Sequence, residues 1–282
     1  MFLVRASGPR IGTACLVMLT IAVTIGPLFL GWEYDRTDLW SRLHPPSGIH
    51  WFGTDDLGRD ILTRSLLAGR ISLLIGVAAA ILSTALGTAV GAVAGYGPSW
   101  LDNVLMRFTD FMLSLPSLPL LLVVSKLFGG GLVNVILILC AFSWMPLARV
   151  VRAQMLSLKE REFAEAARAL GCRPIRILVK HLVPNTLSVV IVDTSLRVGT
   201  AILTESSLSY LGLGVSPPTP TWGNMLANAQ VYLTTAPWAA VFPGLMIFIT
   251  VLSVNLVGDG LRDVLDPTIR GQGLPQKHSK LR

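Results

Sequence analysis

Residues 71–96 read ISLLIGVAAAILSTALGTAVGAVAGY, an apolar run longer than the roughly 20 residues a helix needs to cross the hydrocarbon of a bilayer. A water-soluble core is assembled from shorter elements, so a run of this length points to lipid. Five further runs follow the same rule, at about Ile11 to Gly31, Val104 to Val124, Leu132 to Val151, Leu187 to Leu213 and Ala239 to Leu261. The pattern predicts an all-α fold, a polytopic membrane helix bundle with six transmembrane helices. Composition agrees. Of 282 residues, 52% are hydrophobic and 14% charged, and the mean hydropathy is +0.64, whereas a soluble domain carries about 25% charged residues.

The net charge of +7 invites a nucleic-acid reading, but the basic residues sit between the apolar runs, where cytoplasmic loops of membrane proteins carry them. Arg152, Lys159, Arg161, Arg168, Arg173, Arg176 and Lys180 lie between the fourth and fifth spans, and Arg262, Arg270, Lys277, Lys280 and Arg282 lie at the end. Both stretches are assigned to the cytoplasm, so both termini are cytoplasmic. The stretch from Gly214 to Trp238 has no Lys, Arg, Asp or Glu but carries Pro217, Pro218, Pro220, Trp222 and Tyr232, which places it outside. Residues 33–70 must also face outward on a six-span plan, although they hold Arg36, Arg42, Arg59, Arg64 and Arg70. The first run has no A-x-A-like cleavage site before Trp32 and Tyr34, so it reads as an uncleaved helix and not a signal peptide.

Gly87, Gly91 and Gly95 repeat every four residues, a spacing that lets another helix approach closely. Glycine is also common in membrane helices generally, and both readings stand. Pro116, Pro119 and Pro146 favour kinks in the third and fourth spans. Cys15, Cys140 and Cys172 lack metal-ligand spacing and imply no disulfide framework.

Between the fourth and fifth spans, Ser157 followed by Glu160 reads as a capping box that starts a helix. That helix would run through Phe163 to Leu170 and stop at Gly171. Pro174 suits the first turn of a second short helix, which Pro184 would end. Phe163, Ala167 and Leu170 fall near one face, with Glu162, Glu165 and Arg168 elsewhere. Such a helix lies on a bilayer or docks on a protein, and its alanines favour docking.

Glu165-Ala166-Ala167, then Gly171, Ile177 and Leu182-Val183-Pro184, resembles the EAA loop of ABC importer permeases. Three other stretches resemble the peptide and nickel permease family, in its DppC, OppC and NikC-like branch. These are His50-Trp51-Phe52-Gly53-Thr54-Asp55-Asp56-Leu57-Gly58-Arg59-Asp60, then Leu208 to Gly214 with Pro217 to Met225, which includes Gly212, Trp222 and Gly223, and finally Asn255 to Asp263, which includes Asp259. Val183 departs from the Leu common in the family.

The resemblance implies a type I ABC importer permease fold with a cytoplasmic coupling helix, in the bacterial inner membrane. It divides the chain into residues 1–70, a first helix plus an extracytoplasmic segment; 71–265, a five-helix core with the coupling loop at about 152–186; and 266–282, a cytoplasmic tail. It implies a second homologous permease subunit in a heterodimer, two ATP-binding cassette ATPases docked on the helix of Phe163, Glu165, Ala166, Ala167, Arg168 and Gly171, and an extracytoplasmic substrate-binding protein. ATP and Mg would be bound by the partners and no cofactor by this chain. Dipeptide, oligopeptide, glutathione-like and nickel carriers share these motifs. An ATP-independent channel or ion-coupled transporter, or a membrane-bound scaffold or enzyme, are the readings of a different class.

No G-x-x-x-x-G-K-[ST] phosphate loop occurs, and Gly129-Gly130-Gly131 lacks its Lys. There is no H-E-x-x-H and no serine nucleophile elbow. His44 and His50, isolated in a Pro-rich segment, read as solvated and not as metal ligands. Asp193, Arg197 and Glu205 fall inside the fifth span, where charges should face the bundle interior or water. Asp193 and Arg197 are spaced to pair. For Glu205, a buried structural carboxylate and a pathway residue remain open. Arg107 and Asp110 suggest interfacial anchoring with local pairing.

Overall fold

The computed structural model describes residues 2–30 and 33–265, with side chains from residue 8 onward; the expected tail at 266–282 and Trp32 lie outside the described residues. The chain is helical, and among the described residues the only β-type pairing is an isolated bridge between Thr54 and Asp60. Four helices are long and apolar enough to cross a membrane, or up to six if each of two bent pairs is one span. The long ones are α1 (Phe2–Phe29), α2 (Ile61–Tyr96), α9 (Val183–Tyr210) and α11 (Trp238–Leu265).

Helix α2 is the axis of the bundle. Its 36 residues extend about 54 Å, and it begins ahead of the predicted Ile71 because Asp60 caps it, accepting from the Thr63 amide at 2.8 Å. The apolar pattern hides this start, since Arg64 and Arg70 interrupt it. Both are held by protein groups. Arg70 donates to the carbonyls of Val23 (2.7 Å) and Thr24 (2.6 Å) in α1. Pro27, four residues beyond Val23, has no N–H to offer that carbonyl, so the arginine replaces the missing donor.

The glycine ladder is a packing surface. A Cβ at Gly87 would stand 2.6 Å from the Trp144 carbonyl, one at Gly95 2.6 Å from Met155 Cβ, and one at Gly91 would overlap the Ala148 carbonyl. These contacts belong to the start and length of α6 (Met145–Leu158), which packs along the ladder. Burial of Leu147, Val151 and Met155 against that seam carries α6 past Ser157, so the predicted capping box does not start the loop helix. Ser157 is in the last turn of α6, and the next helix has Arg161 as its N-cap with no side-chain cap.

The prolines break two spans. The third is α3 (Ser99–Ser114) and α4 (Ser117–Phe128), turned by 93° about Pro116; the fourth is α5 (Leu132–Ser143) and α6, bent by 43° at Trp144. In the loop, α7 (Glu162–Ala169) precedes α8 (Pro174–Ile177). Pro184 does not end the second short helix. A π-helical turn at Leu178–Leu182 carries the chain on into α9, with the Val183 amide bonded to the Leu178 carbonyl, and the wider turn accommodates a proline near the start of α9. Helix α10 (Trp222–Ala229) lies between α9 and α11, opened by a reciprocal capping box of Thr221 and Asn224.

Candidate functional site

The predicted coupling helix is α7. Ala164 and Ala167 are buried beside Ala92, Val151, Met155, Ile177 and Leu182, and side chains this small let α7 sit close to the bundle. Phe163 and Leu170 do not join Ala167 inside; they are 40% and 83% exposed. The inward stripe is Ala164 and Ala167, three apart, and Leu170 lies past the helix end. Glu162, Glu165, Ala166, Arg168 and Ala169 are all exposed.

A chain of bonds runs from the last turn of α7 back through Lys159 to α2. Arg168 Nη2 donates to the Lys159 carbonyl at 2.8 Å, and Lys159 Nζ to the Gly95 carbonyl of α2 at 3.2 Å. Past that turn Gly171 takes φ +74°, a left-handed conformation that costs a side chain-bearing residue about 1–2 kcal/mol. There the Cys172 amide bonds to the Ala167 carbonyl (3.1 Å) and the Gly171 amide to the Arg168 carbonyl (2.9 Å), a paired closure of the helix end. The result is a short, rigid, outward-facing amphipathic helix with a charged and apolar outer surface.

At the opposite end of α2, the other family-motif residues build a compact cap. Asp55 accepts from Arg59 Nε (2.7 Å) and from the amides of Leu57 and Arg59 (2.9 Å each). Arg64 stands 3.5 Å from the same carboxylate and donates to the Tyr34 carbonyl at 3.1 Å. Asp60 divides its oxygens between the α2 amide cap and His50 Nδ1, 3.0 Å away. His50 is therefore engaged and half-buried, not solvated as expected, and the His44 amide donates to Thr54 Oγ1 at 2.8 Å. Among the described residues no three His, Cys, Asp or Glu side chains gather as metal ligands.

Gly58 has φ +73°, and a Cβ there would overlap the Asp38 carbonyl; Gly53 is also left-handed. The Asp38 carboxyl is held below its ordinary value by the Ser41 hydroxyl and then the Trp40 amide. Trp222 is fully buried and donates Nε1 to the Ser65 carbonyl at 2.9 Å. Gly223 lies against Ser206, and Gly214, just past the left-handed Gly212, against Ser209. Pro217 precedes Pro218 in that loop, and Asp259 is exposed on α11.

Four constellations of charge lie within the helices of the spans. Glu205 is fully buried; one oxygen accepts from Ser209 Oγ at 2.7 Å, and its Oε2 is without a hydrogen-bond partner. Asp193 pairs with Arg197 on α9, and Arg197 also donates to the Ser143 carbonyl at the end of α5. Asp110 pairs with Arg149 of α6 at 2.5 Å, across helices and not locally with Arg107. Asp102 takes a two-pronged bond from Arg152 at 2.5 and 2.7 Å. Arg149 and the Arg70–Val23 contact escape a reading by apolar runs. The signal for Arg70 is Pro27, which demands a donor for the carbonyl four residues back.

The sequence profile of the family described as "Binding-protein-dependent transport system inner membrane component" matches residues 87–271, which include α7, α9 and the glycine ladder. The chain belongs to this family. Its relatives include "Oligopeptide transport system permease protein OppC" of Bacillus subtilis (strain 168), 41% identical over 260 residues, covering 92% of this chain and 85% of that protein. "Glutathione transport system permease protein GsiD" of Escherichia coli O6:K15:H31 (strain 536 / UPEC) is 44% identical over 263 residues, 92% and 86% of the two chains. A "Putative peptide permease protein" of Brucella suis biovar 1 (strain 1330) is 42% identical over 258 residues, 91% and 85%. The permease is an ABC importer component of the peptide family with the type I importer permease fold, a multi-pass protein of the bacterial inner membrane.

Proposed function

We propose that this permease forms, with a second homologous permease chain, the pathway by which dipeptides or oligopeptides enter the cell, driven by two separate ATPases gripping α7 and supplied by an extracytoplasmic binding protein. The observation that carries the reading is the build of α7. Two alanines anchor it, its last turn is tied through Lys159 to α2, and Phe163, Glu165, Ala166, Arg168 and Leu170 are left outward. A helix braced in this way transmits a push instead of yielding to it. ATP and Mg belong to the partners' chemistry; this chain supplies the mechanical receiver.

On this reading α7 and both termini face the cytoplasm, the division at about residues 70 and 265 separates outer segment, core and tail, and residues 33–70 face outward. The arginines of that outer stretch support the placement. Arg59, Arg64 and Arg70 are each bonded to acidic or carbonyl groups of the chain, so their charges are compensated without the cytoplasmic side. Peptide cargo is supported by the oligopeptide, peptide and glutathione names of the relatives. Glu205 is a structural carboxylate on this reading: it is enclosed and accepts from Ser209 Oγ one turn on in α9, and that same Oγ accepts from the Val215 amide (3.3 Å) and Thr221 Oγ1 (3.4 Å) of the loop before α10.

The test is reconstitution of the permease pair with its ATPases and binding protein in proteoliposomes. Peptide uptake should require ATP and be lost without the ATPases; uptake by the permeases alone would reject the proposal.

A further inference from the structure

We infer that the water-filled face of the pathway runs along one side of α9 and across the α5–α6 bend, marked by Asp193, Arg197, Thr200, Thr204 and Ser207 together with the Asp110–Arg149 pair. The inference rests on the transport reading above and names the surface the peptide passes.

Asp193, Arg197, Thr200, Thr204 and Ser207 recur every four or three residues, which sets them on one face of the helix. Thr200 and Ser207 are exposed in this chain, and Arg197 and Thr204 half-buried. Each hydroxyl already donates to its own helix, Thr200 to the Arg197 carbonyl at 3.0 Å, Thr204 to the Thr200 carbonyl at 2.8 Å and Ser207 to the Leu203 carbonyl at 2.9 Å. Glu205, by contrast, turns from this face into the packed junction with Ser209.

The second mark is independent. The side chains of Asp110 and Arg149 are 52% and 49% exposed although both lie within candidate spans, and the Asp193 side chain is 30% exposed. Ionisable groups within a span face water or the bundle interior, not acyl chains. Both pairs reach the fourth span near its bend, Arg197 at the Ser143 carbonyl and Arg149 on α6 just beyond Trp144. Phe108 stacks on Trp144 beside them, 6.4 Å between ring centroids.

Each charge is closed by its opposite within the chain, so this face asks for solvent and not for a complementary charge from a neighbouring subunit. Such a wall also suits the cargo class. A peptide with free ends carries an ammonium and a carboxylate, and a surface of matched pairs attracts neither end strongly enough to hold it, as passage requires.

The test replaces Cys15, Cys140 and Cys172 by Ala and introduces Thr200→Cys, Ser207→Cys or, as an apolar exposed control, Phe248→Cys, in the assembled transporter in proteoliposomes. A membrane-impermeant cationic methanethiosulfonate is the probe. The two α9 cysteines should react about tenfold faster than the control, and the rate should change between nucleotide-free and ATP-trapped states. Reactivity equal to the control in both states, or a fast rate indifferent to nucleotide, would overturn the assignment. ATP-dependent uptake is measured on the same vesicles, so absence of uptake with state-independent assembly would count against the transport reading separately.

Discussion

The two ends of α2 are built on opposite principles. At the α7 end, order comes from close packing of small residues. Gly87, Gly91 and Gly95 admit α6, Ala164 and Ala167 admit α7, and the bonds of Arg152, Lys159 and Arg168 lie at the edges of that packing. At the other end, residues 33–60 bury little apolar surface and are held by a web of polar contacts, with Asp55 and Asp60 as its centres. The first arrangement leaves the polar face of α7 free for a partner. The second pairs Asp55, Arg59, Asp60 and Arg64 internally and caps the start of α2. The exposed charges of the α7 end sit on one short, anchored helix, whereas those of residues 33–60 are scattered along a loop segment.

The comparison breaks most sharply at the glycines. Gly58→Val puts a branched side chain at φ +73° and into the Asp38 carbonyl, and should cost about 4 kcal/mol or more, seen as loss of folded protein in thermal unfolding in detergent. Gly91→Leu, overlapping the Ala148 carbonyl, should cost about 1–3 kcal/mol as overpacking of the α2–α6 seam and lower the melting temperature while leaving the residue 33–60 cap intact to proteolysis.

The polar face of α7 should behave differently. Glu165→Lys changes an exposed residue, so stability should stay within about 0.5 kcal/mol, while ATP-driven uptake falls at least about tenfold, an interfacial loss of roughly 1.4 kcal/mol. A stability loss equal to that of Gly91→Leu would mean α7 serves packing alone. Gly171→Val should cost about 1–2 kcal/mol for the left-handed site and weaken the coupling of uptake to hydrolysis; full ATP-driven uptake would contradict the rigid-receiver account.

The smallest effect concerns pH. The Asp38 carboxyl is depressed below its ordinary 3.8 by Ser41 and Trp40. A lowered folded-state value means its contribution is complete above about pH 4 and fades as pH falls through the folded value. Asp38→Asn should therefore flatten the acid limb of a stability profile and leave the neutral region unchanged.

Much of the bundle was legible in the apolar runs, because lipid solvation writes itself into long uncharged stretches. The glycine ladder and the end of α7 at Gly171 were legible too, since spacing and left-handed geometry are local. What was not legible arose from packing at a distance. Helix α6 overruns Ser157 because Met155 is buried against Gly95, and the π turn that spares Pro184 has no local signature. Helix α2 starts early because charges such as Arg70 find carbonyls in another helix. The inward stripe of α7 was misread because a helix of two turns allows more than one face. The Asp110–Arg149 pair joins helices far apart in sequence, so nothing near either residue announced it.

The central claim, that α7 receives a separate ATPase, is tested most directly by cross-linking. In a cysteine-free background, Phe163→Cys on the outer face and Ala164→Cys on the inner face are compared in membranes containing the assembled transporter. The account predicts that Phe163→Cys cross-links to the ATPase subunit and loses that product when the ATPases are stripped away, while Ala164→Cys does not cross-link to it. Equal cross-linking from both positions, or none from Phe163→Cys in a complex that still hydrolyses ATP and imports peptide, would contradict it.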